Sequence, residues 1–371
     1  MSSSPVSAAQ SCTGDVLLQL FPSLSQADLA RIALVCRSWS APARITLYSS
    51  ITFDLLSSRA SELARTLRTC PNLRGAIRNL VCKATKEEPE QVDWLALLPE
   101  HSLKAFHWES TSLQSGEVLL YPAVRTAQRL VIRVIWLESE AAAEALRSSF
   151  CSPWLQSLFT DYVPERAVFR SGLKKLGIHS RAYCPELRRA VTDPHMQLER
   201  LDVDILDLRE LYALMQDLCV HQRCLKHLTL MTVHGWILQT MPLVEEIINS
   251  FPQLETLVCG PVIFTEKIIS HLPPTVQSLT CLTYGFTYTF APYFLREIKN
   301  SRELKGHLPK NFTVVQLGPR ARQEQSWQHN PAEKERVDQL IIACETAGVS
   351  FDIKPAGSRN DRMRGCSAFF M

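Results

Sequence analysis

Residues 198–205 read LERLDVDI, and the fold turns on whether that run is helix or strand. Leu198 and Leu201 by themselves suit either, because three residues is close to one helical turn. The residues after them decide the matter. Leu201, Val203 and Ile205 alternate with Asp202 and Asp204, the period of two by which a strand separates its faces. The same opening, an apolar residue, two mostly polar ones and a Leu, returns in Leu155-Gln-Ser-Leu158, Leu173-Lys-Lys-Leu176, Leu225-Lys-His-Leu228, Leu254-Glu-Thr-Leu257 and Val276-Gln-Ser-Leu279. Leu103-Lys-Ala-Phe106 is a degenerate copy.

Before most copies lies a helical pattern. Leu208, Leu211, Leu214, Met215 and Leu218 form one, Leu243, Val244, Ile247 and Ile248 another, and Ile268 and Ile269 a shorter third. Pro252 and the pair Pro273-Pro274 stop the latter two before their strands, since proline removes a helical donor and disfavours helix at the preceding residue. Helix, turn, strand, repeated, makes the strands run in one direction. No unit can cover its own apolar positions, so the units stack to share a core.

The copies begin at roughly 20–30-residue intervals, the range of leucine-rich repeats. The expected fold is therefore α/β: an irregular leucine-rich-repeat solenoid over 54–354 with a parallel sheet of about ten strands on its concave face. An early helix is expected over 57–69, with Leu63 and Leu67 at i, i+4 and Pro71 ending it, followed by a strand at 77–82. The last unit is a helix over 331–346, with Val337, Leu340, Ile341 and Cys344 on its apolar face, and a strand at 349–353.

Ahead of the repeats, residues 15–48 read DVLLQLFPSLSQADLARIALVCRSWSAPARITLY. Val16, Leu17, Leu20 and Phe21 line one side of a helix closed by Pro22. Ser25 caps a second, in which Leu29, Ile32, Val35 and Cys36 recur at helical spacing. A third is expected over 40–47, presenting Ile45 and Leu47, with Trp39 at the joint. Each large apolar side chain is worth roughly 1.5–3 kcal/mol when fully buried, and helices this small cannot bury them all among themselves. The stretch is half of an interface.

At these residues the sequence resembles an F-box, the helical module that docks a protein onto the Skp adaptor of a cullin-based ubiquitin ligase. The resemblance rests on Asp15-Val16-Leu17 with Leu20-Phe21, Leu24, Asp28-Leu29, Val35-Cys36-Arg37-Ser38-Trp39 and Leu47-Tyr48. Where the family usually carries Leu-Pro, this chain has Cys12-Thr13. The resemblance implies adaptor contacts, or support for them, at Val16, Leu17, Leu20, Phe21, Leu24, Leu29, Ile32, Val35 and Trp39. The degenerate repeat spacing and the terminal helix are similar to the irregular leucine-rich domains of large fungal F-box families. The expected organisation is a disordered leader at 1–11, an F-box at 12–53, the repeat domain at 54–354 and a flexible tail at 355–371.

Composition narrows the functional classes. A net charge of +3 over 371 residues gives no electrostatic case for nucleic acid. The N-terminal MSSSPVSAAQS has neither a basic nor an apolar signal region, the most apolar run, 130–137, contains Arg133, and Cys366 is sixth from the end. No membrane partner is expected. Twelve cysteines are scattered without a C-x-x-C pair, as for reduced thiols packed in a cytoplasmic or nuclear protein.

Catalytic signatures are missing: no Gly-rich phosphate loop, no G-x-S-x-G, no H-E-x-x-H. Cys219, His221 and Cys224 lack a second ligand pair for zinc, and no cofactor is expected. Two stretches depart from the repeat. The aromatic run containing Tyr284, Phe286 and Tyr288, and the polar run containing Arg320, Arg322 and Trp327, are candidates for target binding, against an ordinary packing or surface role. The expected function is that of a non-catalytic substrate receptor linking an unknown protein target, through the Skp adaptor, to a cullin. A repeat scaffold without ligase function is the alternative, and an enzyme in the repeat domain a third class.

Overall fold

Each apolar-x-x-Leu opening sets its second apolar residue just inside a strand. The computed structural model describes residues 12–85, 89–179, 183–204, 208–231, 243–260, 263–283, 291–303, 308–316 and 331–355. The chain divides into two units, Met1–Arg170 and Ser171–Met371. The first opens with helices α1 (Gly14–Leu20), α2 (Gln26–Ile32) and α3 (Arg37–Ser49), with a 3-10 turn at Phe21–Ser23. Its strands are β1 (Ser50–Asp54), β2 (Asn79–Lys83), β3 (Ala105–Glu109), β4 (Ser112–Leu113), β5 (Arg129–Arg133), β6 (Trp136–Leu137) and β7 (Ser157–Thr160). In the second unit lie β8 (Lys175–His179), β9 (Arg200–Asp204), β10 (His227–Met231), β11 (Thr256–Cys259), β12 (Ser278–Thr283), β13 (Asn311–Gln316) and β14 (Ser350–Pro355).

Among the described residues the strands pair in parallel. In the first unit the order is β1-β2-β3-β5-β7, with β4 and β6 forming a separate short pair; in the second, β8 to β14 pair in sequence order. Parallel neighbours need a crossover, usually helical, and helices or 3-10 segments lie between most of them. The repeat leucines form rows across the strands. Ile51, Leu80, Phe106, Leu130 and Leu158 are in register in the first unit, as are Leu176, Leu201, Leu228, Leu257, Leu279 and Phe312 in the second. All are buried, as are the leading residues Leu103, Leu155, Leu173, Leu198, Leu225, Leu254 and Val276. Helix residues such as Leu211, Leu214, Met215 and Leu218, or Val337, Leu340 and Cys344, are buried too.

Several expectations are corrected. Among the described residues the main pairing takes in five strands of the first unit and seven of the second, against about ten expected in all, and β1 is one outside that expectation: it grows directly out of α3 and pairs with β2. The third N-terminal helix spans Arg37–Ser49, so Trp39 lies in its first turn and Pro42 inside it. Pro42 lacks one donor, but its ring is buried and its carbonyl accepts from Thr46 Oγ1 at 3.0 Å. On β9 and β10 the face opposite the leucine row is closed at two positions: Asp202 is 1% exposed and Thr229 is buried. Asp202 Oδ2 accepts from Arg200 Nε at 2.7 Å. The last strand runs to Pro355, one residue into the expected tail; 356–371, the leader at 1–11 and Ile205 lie outside the described residues.

Candidate functional site

The apolar residues of α1 separate by helical phase. Leu17 and Phe21, four apart, turn inward, whereas Val16 and Leu20, also four apart, are exposed. Leu29 of α2 and Ala43 of α3 complete a small core, against which Cys12, Ile32, Ala33, Trp39 and Leu47 are partly buried. The Phe21 and Trp39 rings meet edge to face with centroids 6.1 Å apart. The cap expected at Ser25 is formed, its Oγ accepting from Asp28 N at 3.2 Å.

Between α2 and α3 the chain makes a tight turn. Leu34 N donates to Arg31 O and Val35 N to Ile32 O, both at 3.0 Å. The two side chains so held are 84% and 65% exposed. The thiol of Cys36, at the start of α3, is lowered by its hydrogen bond with Ser38, Sγ to Oγ 3.1 Å.

The candidate residues thus fall into two sets. Leu17, Phe21 and Leu29 are interior, and Ile32 and Trp39 pack on that interior; Val16, Leu20, Leu24 and Val35 stand in solvent. Leu18, Leu34 and Ile45 belong with the exposed set, though the family resemblance does not single them out. For Leu34 a signal exists: Ile32-Ala33-Leu34-Val35 is a longer apolar run than one face of a helix needs. A small module exposing this many large apolar side chains is built to be covered.

The module is joined to the sheet. Besides running from α3 straight into β1, it accepts a bond from Arg78 N at Ser49 O, 2.9 Å. Of the other candidates, Tyr284, Phe286, Tyr288, Arg320, Arg322 and Trp327 all lie outside the described residues. The Cys219, His221 and Cys224 group is accounted for by packing: Cys219 Sγ donates to Met215 O and Cys224 Sγ to His221 O, and His221 is buried. Among the described residues no group of three or more His, Cys, Asp or Glu could hold a metal ion, and no helix is long and apolar enough to cross a membrane.

Residues 15–54 match the F-box-like family. The chain therefore carries an F-box-like domain, whose last residues are the first strand of the sheet. Such a domain implies binding to a Skp adaptor and, through it, to a cullin. No curated protein matches the chain.

Proposed function

We propose that this protein is the substrate-recognition subunit of an SCF-type cullin ubiquitin ligase. The F-box-like domain holds the Skp adaptor, and the region 54–354, a degenerate leucine-rich-repeat solenoid, binds a protein target. The observation that carries this reading is the exposed set Val16, Leu20, Leu34 and Val35 on a helical module already closed around its own core. A surface so apolar beside a satisfied core has its use in another protein. The receptor itself performs no chemistry; it raises the effective concentration of its target near the ubiquitin carrier. Free thiols at every described cysteine suit work in the reducing cytoplasm or nucleus.

A second reading, a repeat scaffold that has lost the adaptor, is kept by Cys12-Thr13 in place of Leu-Pro. Against it, Cys12 packs on the F-box core, so the substitution leaves that edge filled. Co-purification separates the two. The receptor reading expects the full chain to retain a Skp adaptor and Leu20→Asp to release it; a full chain without adaptor favours the scaffold, and retention unaffected by Leu20→Asp removes Leu20 from the adaptor contact.

A further inference from the structure

The open face of the first unit's sheet carries a row of alternating charge at the strand ends. Asp54, Lys83, Glu109 and Arg133 are successive register partners on β1, β2, β3 and β5, and Asp161 follows β7. Strands are about 4.8 Å apart, so each cation lies between carboxylates. Arg133 Nη1 is 3.8 Å from Glu109 Oε1, and its Nε is 3.5 Å from Asp161 Oδ2. These charges are not equally accessible. The Arg133 side chain is 9% exposed, the Glu109 side chain 41%, and Asp54 and Glu138, just past β6, are exposed. Lys83, between Asp54 and Glu109, is half-buried, so on the β5 side the edge hides its guanidinium and shows Glu109 and Glu138.

Past the same strand ends come four exposed apolar side chains: Leu56 two residues past β1, Ile135 two past β5, Trp136 next to it, and Tyr162 two past β7, the last in a cavity also lined by Arg147 and Arg166. Their backbones are fixed. Leu56 N donates to Asp54 Oδ1 at 3.0 Å and Ile135 N to Thr111 O at 3.1 Å. Thr160 Oγ1 accepts from Tyr162 N and donates to Tyr162 O. Side chains exposed on a fixed backbone lose little freedom when covered. Trp and Tyr are favoured binding anchors, and their ring faces attract cations.

We infer that this edge, at the C-terminal ends of β1, β5 and β7, receives the target, and that it takes an apolar segment carrying a lysine or arginine. The inference rests on the receptor function proposed for the chain. The apolar residues of the segment cover Trp136 and Ile135, and its cation meets Glu109 and Glu138. An acidic segment, or a phosphate backbone, meets carboxylates instead and is repelled.

The test is selection of a randomised peptide library on the immobilised full chain in complex with its adaptor, compared with the Trp136→Ala/Glu109→Gln variant in the same complex. Peptides combining apolar residues with Lys or Arg are expected to be enriched by the wild type, and to bind the variant roughly tenfold or more weakly, the loss that comes from removing about 1.4 kcal/mol. Enrichment of acidic peptides, enrichment without charge bias, no enrichment, or equal binding by the variant would each overturn the inference. Adaptor retention is read on the same samples: if it is lost in the wild type, the receptor reading has failed; if it is kept, a negative selection counts against this edge alone.

Discussion

Two glycines with left-handed backbone separate conformational freedom from space. Gly348, at φ +73, ends the last helix: its N–H donates to Glu345 O at 3.0 Å, Val349 N donates to Cys344 O at 2.9 Å, and a Cβ there would meet nothing within 4 Å. Gly116, at φ +68, precedes a short helix whose Leu119 N donates to Gly116 O at 2.9 Å. A Cβ on it would come within 2.7 Å of Ala145 Cβ and 3.1 Å of Ala142 Cα. Gly348→Ala should therefore cost only the left-handed conformation, about 1–2 kcal/mol, and Gly116→Ala about 1–3 kcal/mol beyond that for the forced contact. Urea unfolding of both variants checks this, and equal losses would contradict it. Gly348 is legible as the residue after a helix pattern. Gly116 is not, because the crowding comes from Ala142 and Ala145 in the helix Glu140–Phe150, which no local pattern connects to it.

At the level of the strand, the alternation at β9 is a sound signal for a strand and no guide to which of its polar residues are exposed. Asp202 is buried with Arg200, whose side chain is 13% exposed. Removing one member of a buried pair strands the other charge, at about 3–5 kcal/mol, whereas replacing both with apolar residues is often near neutral. Arg200→Met is thus expected to be much more destabilising than Arg200→Met/Asp202→Leu; a double variant as unstable as the sum of its singles would exclude the pair as the cause. The charged row of the first unit gives a pH prediction. Burial raises the Asp161 carboxyl to about 6, against Arg133, which lowers it. Burial also lowers His107 to about 4, with Glu109 acting in the opposite sense. The folded state holds the Asp161 proton more tightly than the unfolded chain does, so this group's contribution to stability falls as pH rises from about 4 to about 6. His107 works the other way: the unfolded chain holds its proton more tightly, and stability is lost as pH falls from 6.5 towards about 4. The two oppose each other in one window. Asp161→Asn should steepen the loss of stability on acidification, and His107→Gln should flatten or reverse it. Chemical unfolding across that window is the measurement, and variants that both track the wild type would contradict the assignment.

For the whole molecule, the repeating architecture is legible in the sequence because each apolar-x-x-Leu opening performs two jobs at once. Its first residue plugs the turn and its second starts the row, and both are buried in every described copy. The openings that escape are those with weaker letters. Ala127-Gln-Arg-Leu130 has the same spacing and the same burial, but alanine does not announce a plug. The pair β4 and β6 escapes because two-residue strands leave no period to detect. The N-terminal module is legible as a module, while its division into core and surface is not. Spacing places Val16, Leu17, Leu20 and Phe21 along one helix, but only the position of α3 against α1 tells which of them it covers. The receptor account depends on that division, and it is most directly tested by measuring the adaptor Kd and the Tm of the full chain for the two sets of residues. Leu20→Ala and Leu34→Ala should weaken adaptor binding by roughly tenfold or more, as expected for interface anchors, with Tm unchanged within the small range of surface substitutions. Leu17→Ala and Leu29→Ala should lower stability by about 2–5 kcal/mol. Wild-type adaptor affinity in both Leu20→Ala and Leu34→Ala would contradict the account.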